Sequence, residues 1–152
     1  MVLLAIAVYS VVFSIISINS VEHSFILLES TAIGLLVGLL VAKLRHLPQV
    51  IMHLGACLLG HWLSVFLVSA IAYHVSWLEL LGDLRAVITG GITSPAGPGD
   101  IVFLFYLCFL SFFLGYFGAW LIYRAHLPWL VAVVYCSILL INLSYAKQDQ
   151  TF

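Results

Sequence analysis

The sequence predicts an all-α integral membrane protein with five transmembrane helices and an interfacial amphipathic helix between the third and the fourth. Two observations predict this class. Hydrophobic residues make up 64% of the 152 residues and charged residues only 7%, whereas soluble domains carry about 25% charged residues. The few charges also cluster between long apolar runs, each close to the roughly 20 residues that a helix needs to cross a bilayer. A soluble globular fold is therefore excluded.

Five apolar segments follow one another along the chain. Helices are expected for all of them, because backbone groups in lipid must hydrogen-bond within the segment. The first lacks a basic start and a small-residue cleavage site, so we interpret it as a membrane helix and not as a signal peptide. Together they predict a transmembrane domain at 1–146 and a short extracytoplasmic tail at 147–152. The predicted spans are approximately Val2–Ile18, Phe25–Ala42, Gln49–Ala72, Ile101–Tyr123 and Trp129–Ala146.

The longest connection lies between the third and fourth spans. From Trp77 to Thr89 the apolar residues recur at helical spacing, with Glu79 and Asp83 on another face. This pattern predicts an amphipathic helix that either lies in the membrane interface or caps the bundle. A Gly/Pro-rich loop at 90–100 ends it, because such residues cannot continue a helix.

The basic residues predict the orientation. Lys43, Arg45 and Arg124 occupy the two short turns on the side of the amino terminus, and no acidic residue lies on that side. Short basic turns face the cytoplasm. We therefore expect a multi-pass protein of the bacterial cytoplasmic (inner) membrane, with its amino terminus inside and its carboxyl terminus outside. The net charge of −1 argues against nucleic acid as a partner, since phosphate binding needs a clustered basic surface.

Four residues are candidates for helix packing. Gly34 and Gly38 form a GxxxG pattern in the second span, and Gly118 belongs to a small-residue patch in the fourth. Small residues allow helix backbones to approach closely, and an amide such as that of Asn142 can hydrogen-bond to a neighbouring helix. We expect these residues to hold the spans together.

Aromatic and basic residues near the span ends are candidate interface anchors. Tryptophan is enriched at the two membrane–water interfaces, and Lys or Arg near a helix end extends toward the head groups. The anchors predicted on this basis are Trp77, Trp120, Arg124 and Trp129.

A short repeat relates the two turns on the basic side. The pattern G-x7-HLP begins at Gly38 and recurs 80 residues later at Gly118, and each copy ends on a proline. Proline is tolerated at the first position of a helix. A duplication and shared turn chemistry explain the repeat equally well.

Only weak candidates for chemistry are present. His53, Cys57 and His61 follow at intervals of four residues on the third span, so a metal or haem ligand role and simple interhelical hydrogen bonding both remain open. Glu29 is the one acidic residue inside an apolar run, and it is either a transport or proton-relay group or a residue reaching the outer interface. No catalytic residue and no cofactor are expected in this chain.

Three strings resemble a known family. These are GYFGAWLIYRAHLPWLVAVV with LLINLSYA (within 115–146), GLLVGLLVAKLRHLP (34–48) and the loop GGITSPAGPGDIVFLF (90–105). They are similar to the amino-terminal membrane domain of the bacterial transglutaminase-like membrane proteins (TgpA type). The resemblance implies a five-helix membrane domain that precedes an extracytoplasmic papain-like domain with a Cys/His/Asp triad. None of the triad residues can be assigned to a position in this chain.

The expected function is therefore that of a non-catalytic membrane domain. It would anchor or scaffold an extracytoplasmic transglutaminase-like domain or partner, with the lipid bilayer and partner helices as its surroundings. Two alternatives remain open: an accessory subunit of a respiratory or photosynthetic membrane complex, and a haem- or metal-binding membrane protein that uses His53 and His61.

Overall fold

The computed structural model describes residues 2–19, 23–44, 46, 48–90 and 100–148. Most of the predicted Gly/Pro-rich loop, the end of the predicted tail and Arg45 lie outside these residues. Every regular element within the described residues is a helix, which confirms the all-α class. The helices are α1 (Val2–Asn19), α2 (Phe25–Lys43), α3 (Gln49–Phe66) continued by a π-helical segment (Leu67–Ala72), α4 (Trp77–Ile88), α5 (Ile101–Tyr123) and α6 (Pro128–Gln148).

Three of the helical segments are long and apolar enough to cross a membrane: Phe25–Lys43, Gln49–Ala72 and Ile101–Tyr123. The helices α1 and α6 contribute shorter apolar stretches over the described residues, Val2–Ser17 and Pro128–Ser144. By length and composition, the described residues thus provide three candidate spans, as in a helical membrane protein.

Helix α5 is the centre of the fold. It contacts every other helix. In its most apolar 18-residue stretch, 61% is buried, against 44% for the same length of α2 and 39% for α3 with its π-helical end. Helix α3 packs on α5 through Gly60, which lies against the ring of Phe112. Helices α1 and α6 contact each other and also α5. The interior is therefore organised around α5.

Helices α2 and α5 run parallel and side by side. The contacting pairs are Ser30 with Cys108, Gly34 with Phe112, and Gly38 with Tyr116. Each pair is 78 residues apart in sequence, so both helices advance in the same direction at a constant offset. This arrangement brings the two copies of the predicted repeat onto neighbouring helices.

The helix ends follow simple capping chemistry. The Asp100 carboxylate accepts a hydrogen bond from the Val102 amide at 2.8 Å and starts α5. Ser76 caps α4 in the same way through the amide of Leu78, as expected for short polar side chains at a helix start. The chain reverses before α6 at His126, which has a left-handed φ of 56°, a conformation in which histidine is enriched among non-glycine residues.

Helix α4 occupies the segment predicted to be amphipathic. Leu80 and Leu84 are buried and belong to the central hydrophobic cluster, whereas Leu78 and Ile88 are exposed. The inner face of α4 therefore packs on the bundle, as the capping interpretation predicts.

Candidate functional site

The central structural site is the α2–α5 contact, where two helix backbones touch. A β-carbon at Gly34 would overlap the carbonyl group of Phe112, and one at Gly38 would overlap the carbonyl oxygen of Tyr116 and lie 2.8 Å from Cβ of Ala119. From the other side, a β-carbon at Gly115 would lie 2.8 Å from the backbone nitrogen of Leu35. No side chain fits between the helices at these positions. We define the α2–α5 contact by Ser30, Gly34, Gly38, Cys108, Gly115 and Ala119.

A buried hydrogen bond crosses the α2–α5 contact. The hydroxyl of Ser30 donates to the backbone carbonyl of Cys108 at 2.8 Å, and both residues are fully buried. Thr31, the next residue, donates instead to Leu27 on its own helix at 2.7 Å. Close backbone approach makes the Ser30 bond possible, because a serine side chain is too short to bridge helices held apart by large residues.

Gly118 faces a different neighbour. A β-carbon there would overlap the hydroxyl of Tyr135 on α6 and lie 3.2 Å from Cδ1 of Leu4 on α1. The Tyr135 hydroxyl donates to the carbonyl of Leu114 at 2.7 Å. Gly118 thus leaves the space that lets a buried tyrosine of α6 reach the backbone of α5.

Asn142 lies between α6 and α1. Its side-chain amide is 3.4 Å from the hydroxyl of Ser14, to which it donates. This separation is beyond the usual range for an N–H···O hydrogen bond, so the interaction is weaker than the Ser30 and Tyr135 bonds.

An aromatic cluster joins α3 to α5. His53 Nδ1 and the Tyr116 hydroxyl are hydrogen-bonded at 2.8 Å, and Tyr116 is fully buried. The His53 ring also stacks on Phe117 and meets Trp120 edge-on, with ring centroids 5.8 Å and 4.7 Å away. The imidazole therefore connects two helices through one hydrogen bond and three ring contacts, the third of them with the Tyr116 ring.

The three metal candidates do not form a cluster. His53 and His61 are half-buried toward α5, where His61 packs against Phe105 with ring centroids 5.4 Å apart. Cys57 is exposed. Within the described residues no group of three or more His, Cys, Asp or Glu side chains could hold a metal ion.

The anchor candidates occupy two kinds of environment. Trp77 begins α4 and Trp129 lies near the start of α6, with 50% and 61% of their surfaces exposed. Trp120 is half-buried against His53. The Arg124 guanidinium donates to the carbonyl of Leu44 at 3.1 Å and so ties the end of α5 to the end of α2.

Glu29 is exposed, one turn into α2. Its neighbour Ser30 makes the buried hydrogen bond of the α2–α5 contact.

Sequence reasoning did not identify Tyr116, Tyr135 or the bond between Ser30 and Cys108. A tyrosine in an aromatic-rich span has no distinguishing sequence pattern. The repeat did not indicate the Ser30 bond either, because its 80-residue spacing would pair Ser30 with the exposed Leu110 and not with Cys108. No family model, curated protein or solved structure matches this chain.

Proposed function

We propose that this chain is a non-catalytic membrane domain that anchors or scaffolds an extracytoplasmic transglutaminase-like (papain-fold) domain or partner. The observation that supports the proposal best is the α2–α5 contact. Two parallel helices that touch through their backbones form a rigid pair, because neither can rotate without driving a side chain into the other. A rigid apolar bundle is suited to holding an attached domain at a fixed place on the membrane.

The proposal includes five spans. Helices α2, α3 with its π-helical end, and α5 would be joined by α1 and α6, which are apolar and pack on the same centre. Large apolar side chains cover the outside of these helices, including Leu36 on α2, Leu58 on α3 and Leu140 on α6. Such a surface is stable only in contact with lipid or with partner helices.

Helix α4 would lie at the outer interface. It follows the end of α3, and its exposed Trp77 and Leu78 would contact the outer leaflet while Leu80 and Leu84 pack on the bundle. Tryptophan is enriched at this depth. The amino terminus and the α2–α3 and α5–α6 turns would face the cytoplasm, where Lys43 and Arg124 lie.

Cysteine labelling tests the topology. In a variant whose three native cysteines are replaced by alanine, we would introduce Lys43→Cys or Arg85→Cys, both at exposed positions. A membrane-impermeant maleimide applied to intact cells is expected to label Arg85→Cys only. Labelling of Lys43→Cys from outside would contradict the proposed orientation, and permeabilised cells, in which both must react, are the control.

Affinity capture from native membranes followed by mass spectrometry tests the anchoring role. Papain-like peptides, in the same chain or in a co-captured one, are the expected result. A stoichiometric set of other membrane subunits without a papain-like domain would favour the accessory-subunit alternative. A haem absorbance band in the purified protein that is lost on His53→Leu would favour the redox alternative, and either of these results would overturn the proposal.

A further inference from the structure

An apolar groove lies on the outside of the bundle between α5 and α6. It has a volume of about 370 Å³, within the range typical of small-ligand sites. Phe117 and Val134, one from each helix, are each 40% exposed on its walls. Both helices remain in contact below it through Gly118 and Tyr135. The groove is lined mainly by Leu110, Phe113, Phe117, Leu121, Val131 and Val134.

The groove faces away from the α2–α5 contact. At 3.6 residues per turn, Phe117 lies on the side of α5 opposite Gly115 and Ala119, which face α2. In a membrane-spanning α5 this side meets the hydrocarbon region. A narrow apolar groove at that depth suits a flexible hydrocarbon chain, because the chain can fill its shape without burying a polar group.

One end of the groove lies beside basic residues. Leu121 and Val131 line it and flank the α5–α6 turn, which carries Arg124 and His126. Arg124 also holds the end of α2, which brings Lys43 to the same end of the bundle. Among the residues that the structure describes in these two turns, none is acidic. This end therefore favours a negatively charged group.

Within the described residues, the Arg124 side chain uses only part of its hydrogen-bonding capacity. One guanidinium nitrogen donates to Leu44, whereas a guanidinium carries five N–H donors. The remaining donors suit phosphate oxygens, and basic groups between helices at the cytoplasmic surface are typical binding sites for anionic lipid head groups.

We propose that the groove binds an anionic phospholipid, with one acyl chain against Phe117 and Val134 and the phosphate at the α5–α6 turn, which carries Arg124 and His126. The proposal rests on the membrane-spanning assignment made above for α5 and α6 but not on the anchoring role. Charge at one end and an apolar wall along the rest match the two parts of such a lipid. The bound lipid would fill the gap that the α5–α6 packing leaves.

Native mass spectrometry of the full chain in detergent tests this site. We would add phosphatidylglycerol or phosphatidylcholine with the same acyl chains and compare the bound fractions. An anionic preference of about fivefold is expected, as one basic contact at the membrane surface provides. Arg124→Gln should abolish the preference, whereas Arg85→Gln, on α4, should retain it.

Two neighbouring valines of α6 provide a matched pair for the groove itself. Val134→Trp fills the groove, whereas Val133→Trp, at a position that is 54% exposed and outside the lining, leaves it open. Binding of phosphatidylglycerol should fall about fivefold or more in the first variant and stay unchanged in the second. Equal binding by the two variants, or an anionic preference that survives Arg124→Gln, would overturn the proposal.

A photoreactive phosphatidylglycerol keeps the test independent of mutation. With the reactive group in its acyl chain, cross-links to the unaltered protein are expected at residues of the α5–α6 groove. Cross-links spread evenly over the exposed faces of α2 and α3 would contradict a specific site. Neither result bears on the partner found by capture from native membranes, so failure of the lipid site and failure of the anchoring role remain distinguishable.

Discussion

Helix α5 packs on its two neighbours α2 and α6 in different ways. Against α2 the backbones themselves touch, at Gly34, Gly38 and Gly115. Against α6 the contact is made by a long side chain, since Tyr135 reaches across to the carbonyl of Leu114 over Gly118. The first contact leaves no space between the helices, and the second leaves the α5–α6 groove.

The difference shows how helices can associate in lipid. Lipid tails are as apolar as the helix surfaces, so the hydrophobic effect does not drive membrane helices together. Their association depends instead on close packing and on hydrogen bonds between helices. The α2–α5 contact uses both, and its geometry is fixed by residues that have no side chain to move. The α5–α6 contact includes one buried hydroxyl, that of Tyr135, and leaves an open groove beside it.

The largest effect is expected from Gly38→Leu. Its side chain would enter the backbone of α5 at Tyr116, which cannot move without displacing the whole helix. Overpacking of this kind costs about 3 kcal/mol, which thermal unfolding in detergent would measure. Gly55→Leu is the control, because a β-carbon at Gly55 meets no atom within 4 Å. Unfolding temperatures that agree between the two variants would contradict close packing at Gly38.

A smaller loss is expected from Gly118→Ala. The added methyl group would displace the Tyr135 hydroxyl from Leu114, at a cost of about 1–2 kcal/mol. Tyr135→Phe removes the hydroxyl and with it the steric conflict. A double-mutant cycle should therefore show that Gly118→Ala costs much less in the Tyr135→Phe background, and strict additivity would disprove the assigned contact.

Ser30→Ala should cost about 0.6 kcal/mol, the average for a hydrogen bond between membrane helices. The bond to the Cys108 carbonyl is short and fully buried. Ser137→Ala is the matched control, since Ser137 is exposed and its hydrogen bond in the described residues lies within α6, to Val133. Chemical unfolding of both variants would compare them, and an equal or greater loss for Ser137→Ala would count against the role of Ser30.

The smallest effect is expected from Asn142→Leu. The amide and the Ser14 hydroxyl are 3.4 Å apart, so the loss should stay below about 0.6 kcal/mol. The same unfolding measurement applies. A loss larger than that of Ser30→Ala would mean that α1 and α6 are held together more strongly than the structure indicates.

Much of the fold was accessible from the sequence because lipid imposes simple rules. Apolar length alone predicted the bounds Ile101–Tyr123 and Gln49–Ala72. The structure divides the second of these into an α-helix and a π-helical end, a change of winding for which the apolar pattern carries no signal.

The candidate site was only partly accessible. Spacing singled out Gly34 and Gly38 because four residues bring side chains to one helix face, but it could not say what that face meets. The repeat aligned Gly38 with Gly118, yet Gly38 faces α5 and Gly118 faces α6. Equivalent positions in a repeat have different neighbours once the two copies pack on each other. The contacts of Tyr116 and Tyr135 depend on three-dimensional packing alone.

Disulfide cross-linking in native membranes tests the parallel α2–α5 pairing most directly. The variant carries Ser30→Cys beside the native Cys108, with Cys57 and Cys136 replaced by serine, and mass spectrometry identifies linked peptides after mild oxidation. Linkage of position 30 to Cys108 is the predicted result. A second variant that carries Leu36→Cys in place of Ser30→Cys is the control, and no linkage is expected from it because Leu36 is exposed on the outside of α2. Equal linkage from both positions, or linkage from Leu36→Cys alone, would contradict the pairing.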